Sequence, residues 1–210
     1  MRLTLTRLIL TPFLIPLFFL PSLLVSLFGV GEHGLYILNL ATGIGIIIIY
    51  IICELTDFLD GYIARKYNCV TDEGKVLDPF SDVMIHITYF LCFAFVKLMP
   101  LWAFAVIMYR EFAINMVRML AIKKGIVIPA NWWGKTKTFL YAISCMAGIF
   151  YISYKRIFPS RFDVACDGGC IISKFDVLLL VLFALSAVAS VISFLTYLIP
   201  FIRLYKQEKP

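Results

Sequence analysis

Long apolar runs alternate with short polar breaks along this chain. Apolar residues dominate 8–31, 34–53, 83–96, 98–109, 138–154 and 177–202, and the fourth run continues through Arg110, Glu111 and Arg118 to about residue 122. A helix crosses a bilayer with about 20 mainly apolar residues at a rise of about 1.5 Å each. With their amphipathic flanks, these runs predict an all-α integral membrane domain over residues 1–210. Its six transmembrane helices are expected at about 8–30, 35–66, 76–97, 100–123, 136–155 and 176–203. Pro12, Pro16 and Pro21 recur in the first span and should bend it, which membrane helices tolerate where neighbours satisfy the freed carbonyls. Pro79 follows Asp78 near the start of the third span, and the first turn of a helix suits proline. The charged head and apolar body of residues 1–30 resemble a signal peptide, but the uncharged run is long and no A-x-A site follows, so it reads as a span.

Composition agrees with that pattern. The chain is 62% hydrophobic and 15% charged, with a mean hydropathy of +0.94, which excludes an ordinary soluble globule. A formal charge of +6 raises the question of nucleic acid, and the positions of the basic residues answer it against that partner. With the N-terminus inside, 13 of the 19 Lys and Arg fall on the cytoplasmic side, among them Arg65, Lys75, Arg118, Lys123, Lys124, Lys135 and Lys137. Five fall outside and Arg110 lies within a span. The positive-inside rule then puts both termini in the cytoplasm, and basic flanks favour an anionic leaflet; a plasma (inner) membrane is the expected location. Cys53, Cys92 and Cys145 sit in apolar runs and read as small hydrophobes. Cys166 and Cys170 are the pair that an oxidising compartment could bridge, and Cys69 reads as a lone thiol.

The acidic residues are distributed unevenly. Of 13 in the chain, seven lie between residues 54 and 82: Glu54, Asp57, Asp60, Asp72, Glu73, Asp78 and Asp82. Charge at membrane depth is costly and calls for a cavity and a partner. Asp57 and Asp60 share a face of the second helix, and Asp78 and Asp82, at i and i+4, share a face of the third. Two antiparallel helices would bring these four carboxylates together, and anions so close need compensation. All-oxygen donors suit Mg²⁺ or Mn²⁺, and a pair of such ions can clamp a diphosphate. Gly61 leaves room for a ligand against the backbone, Gly74 allows a tight bend, and Arg65 offers a bidentate phosphate donor.

The run Asp57-x2-Asp60-Gly61-x2-Ala64-Arg65-x8-Gly74-x3-Asp78-x3-Asp82 resembles, at every fixed position, the signature of the CDP-alcohol phosphotransferase family. Eight such positions would coincide by chance at a rate on the order of 10⁻⁸ in a chain of this length. The resemblance implies six transmembrane helices, a homodimer, and a site open to both cytoplasm and membrane. It implies that Asp57, Asp60, Asp78 and Asp82 hold divalent ions, with Asp82 also the general base. It implies that Asp57, Gly61, Ala64, Arg65, Gly74 and Asp78 bind the CDP moiety. The reaction implied is attack of an alcohol hydroxyl on the diphosphate, with release of CMP.

Marks outside the signature resemble the branch that transfers the phosphatidyl group of CDP-diacylglycerol to glycerol 3-phosphate. They are residues 3–12 (Leu-Thr-Leu-Thr-Arg-Leu-Ile-Leu-Thr-Pro), Arg110-Glu111-Phe112 with Arg118, and Ile128-Pro129-Ala130 leading to Gly134-Lys135-Thr136-Lys137-Thr138. Arg110 and Arg118 stand about two helical turns apart on one face, and with Lys135 and Lys137 they can form a basic pocket for the acceptor's phosphate. Val83 and Tyr141 depart from the Lys and Gln usual in that branch, so inositol phosphate as acceptor, or CDP-choline or CDP-ethanolamine reacting with diacylglycerol, stays open. Arg110 can instead pair with Glu111 and fix helix packing, and the four lysines can serve topology alone. His86, four residues after Asp82, reads as a packing or hydrogen-bonding residue. Trp102, Trp132 and Trp133 read as interfacial anchors. A divalent-cation transporter would spread acids over several spans and repeat its halves, whereas these acids cluster on two adjacent helix ends and no repeat is present.

Overall fold

In a computed structural model of the chain, residues 2–29, 31–66, 72–123, 132–158 and 171–207 are described. They form six α-helices and no strand: α1 Arg2–Phe28, α2 Glu32–Lys66, α3 Asp72–Phe95, α4 Leu101–Lys123, α5 Trp132–Ile157 and α6 Ile171–Gln207. Three stretches are long and apolar enough to cross a bilayer: Leu8–Phe28, Glu32–Thr56 and Lys174–Arg203, with Phe80–Phe95 apolar but shorter. Elsewhere charge breaks the apolar run. Helix α4 carries Arg110, Glu111 and Arg118, and α5 has Lys135 and Lys137 near one end and Lys155 and Arg156 at the other.

The third helix begins earlier than its apolar pattern predicts. It starts at Asp72, so Gly74 lies inside its first turn and not in a bend before it. Acidic residues at a helix start are favoured by the backbone dipole, which accounts for a start among Asp72 and Glu73. Pro79 is then well past the first turn, and its missing N–H leaves the Lys75 carbonyl without a helical partner.

Two turns are closed by left-handed residues. Gly29 (φ 58°) ends α1 with its N–H donating to the Val25 carbonyl at 3.1 Å. Lys97 (φ 60°) ends α3, where Leu98 N–H donates to Phe93 O at 2.9 Å and Lys97 N–H to Ala94 O at 3.1 Å. That is a Schellman arrangement with lysine where glycine is commoner.

The chain forms two compact units, Met1–Cys92 with Met146–Ile172, and Phe93–Cys145 with Ser173–Pro210. In the first, α1, α2, most of α3 and the second half of α5 bury Leu14, Phe18, Ile46, Tyr50, Ile85 and Tyr89. Small residues let these helices approach: a methyl group on Gly45 would stand 3.2 Å from Leu17 Cδ2. Ser153 Oγ of α5 donates to the Gly43 carbonyl at 3.1 Å. Pro21 cannot donate to the Leu17 carbonyl, and Arg156 of α5 supplies that bond, Nη1 to Leu17 O at 3.4 Å, with Nη2 on the adjacent Phe18 O. The guanidinium also lies over the Phe18 ring, 5.7 Å from its centroid.

The second unit turns its polar groups inward. On α6, Val181, Leu185, Val188, Val191, Leu195 and Ile199 are exposed, whereas Ser186, Ser190 and Ser193 are buried at the same helical spacing. Apolar side chains outward and hydroxyls inward is the arrangement a lipid solvent favours. Ser144 Oγ and Ser186 Oγ lie 2.8 Å apart, joining α5 to α6. Phe93 packs on Phe183 with centroids 5.8 Å apart.

Candidate functional site

The signature lies on α2 and α3, within the first unit. Tyr50 of α2 and Tyr89 of α3 meet edge to face, ring centroids 5.5 Å apart. Tyr50 lies about 24 Å before the end of α2 and Tyr89 about 25 Å after the start of α3, at about 1.5 Å per residue. Since only residues 67–71 join the helices, such a contact requires them to run antiparallel. In an antiparallel pair, moving seven residues down one helix matches moving seven residues up the other. The ring contact therefore sets Asp57 at the height of Asp82, and Asp60 within one residue of the height of Asp78. The backbone thus brings the four carboxylate positions to two adjacent levels of one hairpin.

Of the signature side chains, that of Asp82 is described. It is half-buried, follows the buried Ser81, and its main-chain carbonyl accepts the Nδ1–H of His86 at 2.7 Å. His86 thereby has the hydrogen-bonding role expected of it. The side chains of Asp57, Asp60, Gly61, Ala64, Arg65, Gly74 and Asp78 lie outside the described residues, as do Cys69, Lys124, Ile128, Pro129, Ala130, Cys166 and Cys170. Among the described residues no three His, Cys, Asp or Glu side chains gather into a metal-binding group. The hairpin register sets the four aspartate positions at two levels, and carboxylates are donors whose chemistry fits a hard divalent cation.

The second unit holds the basic residues, and it divides them. Arg110 and Lys137 are buried, at 6% and 9% exposure, and both contact Glu111, which is 2% exposed. Lys137 Nζ donates to Glu111 Oε1 at 2.6 Å, and Arg110 Nη1 spans both carboxylate oxygens at 3.1 Å each. Tyr141 Oη adds a third donor to Oε1 at 3.2 Å, and Lys137 Nζ sits 4.8 Å from the centroid of the Tyr141 ring. Arg110 is tied to α6 as well, Nη2 to Ser193 Oγ at 2.7 Å and Nε to the Ser190 carbonyl at 3.3 Å. Arg118 and Lys135 are exposed instead, and the Arg118 guanidinium lies 5.8 Å from the centroid of the Tyr197 ring. A cavity of about 380 Å³ between α4 and α6 has Arg110 in its wall among Val106, Ala113, Val191 and Phe194.

Adjacency in sequence pairs Glu111 with Arg110 alone and gives Tyr141 no partner. The structure makes Glu111 the hub of Arg110, Lys137 and Tyr141. The available signal was an acid within an apolar run, which in a membrane must find partners. Trp102, Trp132 and Trp133 are exposed at the first turns of α4 and α5, and Cys53, Cys92 and Cys145 are buried, as small hydrophobes in apolar runs should be.

Residues 2–199 match the CDP-alcohol phosphatidyltransferase family, and the chain belongs to it. Its members named among the relatives are transferases. A CDP-diacylglycerol–glycerol-3-phosphate 3-phosphatidyltransferase of Treponema pallidum is 43% identical over 95 residues, 45% of this chain and 44% of that protein. The enzyme of the same name from Bacillus subtilis is 36% identical over 137 residues, 64% of this chain and 69% of the relative. The Rickettsia bellii enzyme of that name is 36% identical over 104 residues, 47% of this chain and 56% of the relative. The chain therefore spans between 44% and 69% of the length of these relatives.

Proposed function

We propose that the protein transfers the phosphatidyl group of CDP-diacylglycerol to glycerol 3-phosphate, giving phosphatidylglycerophosphate and CMP. The observation that supports this reading is the α2–α3 hairpin register, which sets the backbone positions of the four signature aspartates at two levels. In this reading Asp57, Asp60, Asp78 and Asp82 hold divalent cations, two Mg²⁺ or Mn²⁺. Bound there, the metal would neutralise diphosphate charge and polarise phosphorus. Arg65 clamps a phosphate oxygen, Gly61, Ala64 and Gly74 shape the CDP pocket with Asp57 and Asp78, and Asp82 takes the proton of the acceptor hydroxyl. The acceptor oxygen forms a bond to the phosphorus that bears diacylglycerol. The bond from that phosphorus to the oxygen bridging toward CMP breaks, and the electron pair leaves with CMP. Arg110, Arg118, Lys135 and Lys137 bind the acceptor's phosphate, which a free choline or ethanolamine lacks.

The same reading takes all six helices as membrane spans in a homodimer, in a plasma (inner) membrane with both termini and the site cytoplasmic, consistent with the bias of Lys and Arg. The test is CMP release by detergent-purified protein with CDP-diacylglycerol and Mg²⁺ or Mn²⁺, supplying glycerol 3-phosphate, inositol 1-phosphate, inositol or serine in turn. Release with glycerol 3-phosphate alone is expected. Release with inositol phosphate in its place, or only from CDP-choline or CDP-ethanolamine with diacylglycerol, overturns the choice of substrates and keeps the chemistry.

A further inference from the structure

We infer that Glu111 is a positioning residue for acceptor recognition: it holds the Lys137 ammonium and the Arg110 guanidinium, both buried, in one fixed arrangement that engages the acceptor's phosphate. The inference rests on the proposed use of a phosphorylated acceptor.

The network is unlike a simple ion pair, because two cations share one carboxylate. It keeps one unit of positive charge in a desolvated place, where attraction for an anion is strengthened. Its donors are also incompletely used by the carboxylate. An ammonium has three N–H groups, and the 2.6 Å contact to Glu111 occupies one. Arg110 cannot shed its proton, so removing the carboxylate sets Lys137 against an unneutralised guanidinium. The flexible lysine is the partner that yields, and a charged donor turns away from the phosphate position. Arg110 is held by Ser190 and Ser193 and stays. Tyr141 belongs to the same device: its hydroxyl shares Oε1, and its ring backs the ammonium. Tyr141 thus has a defined task, as third donor to the hub.

The experiment measures CMP release by the full-length protein in detergent, varying glycerol 3-phosphate at saturating CDP-diacylglycerol and then the reverse. Thermal midpoints are read in the same detergent. Glu111→Gln is expected to raise KM for glycerol 3-phosphate about tenfold, the size of one charged hydrogen bond, and to leave KM for CDP-diacylglycerol within about twofold. Glu111→Asp should recover part of that loss. Tyr141→Phe keeps the ring and removes one donor, so a rise of roughly threefold in the same KM is expected; it decides the matter should Glu111→Gln fail to fold. Equal movement of both KM values, or a lowered thermal midpoint with neither KM changed, reduces the network to helix packing and overturns the inference. A fall in KM for glycerol 3-phosphate on Glu111→Gln also overturns it, because Glu111 would then oppose the anion. If wild-type protein uses inositol phosphate and not glycerol 3-phosphate, the proposed reaction fails while the same KM split is read with inositol phosphate. Turnover with unphosphorylated alcohols only would sink both.

Discussion

The carboxylate hairpin of α2 and α3 and the basic network of α4, α5 and α6 solve opposite electrostatic problems. Between residues 54 and 82 the chain carries seven acids against three basic residues, Arg65, Lys66 and Lys75, so the excess is negative. Around Glu111 the excess is positive, and the chain supplies the counter-charge itself at 2.6 to 3.1 Å. A region that imports its counter-ions depends on what the solution provides. A region that carries its own is set when the helices pack.

The sharpest way to break this comparison is Asp82→Asn. If Asp82 is the base, kcat should fall roughly 100- to 10,000-fold while CDP binding, measured by calorimetry, stays within about twofold. Equal loss of both would put Asp82 in nucleotide binding instead. In the other region, Glu111→Leu leaves two buried cations without their counter-charge and should cost about 3–5 kcal/mol, seen as a large drop in thermal midpoint. Glu111→Leu with Lys137→Met should be the milder change, since the second substitution removes one of the stranded charges; additive losses would mean that the residues do not act as a unit.

A smaller effect is expected where Arg156 completes α1. Arg156→Leu should cost about 1–3 kcal/mol by stranding carbonyls. Pro21→Ala restores a helical N–H to the Leu17 carbonyl, so Arg156→Leu made on that background should cost less. The smallest is Tyr50→Leu, which removes one edge-to-face ring pair and should lower stability by about 1 kcal/mol with kcat unchanged.

The two regions differed equally in how far they could be read from sequence. Helix count and approximate positions follow from apolar run length, whereas the heights of the carboxylate positions need the Tyr50–Tyr89 contact as well as helix geometry. The apolar pattern begins after the acids and so starts α3 late, whereas the helix begins with them at Asp72. The network was legible only in part. Arg110 and Glu111 are neighbours in sequence, but Lys137 and Tyr141 reach Glu111 across 26 and 30 residues, and no periodicity encodes which face of α5 meets α4. The same blindness covered the basic residues as a group: burial separates Arg110 and Lys137 from Arg118 and Lys135, although all four look alike in the chain.

The bond from Arg156 to the carbonyl released by Pro21 has a consequence for how the protein is made. Helix α1 emerges from the ribosome before α5, and the group that completes it is 139 residues further along the chain. Until α5 is synthesised and docks, α1 enters the bilayer with a backbone oxygen that lipid cannot satisfy. Early insertion of this helix is therefore provisional, and the arrival of α5 is the step that commits it.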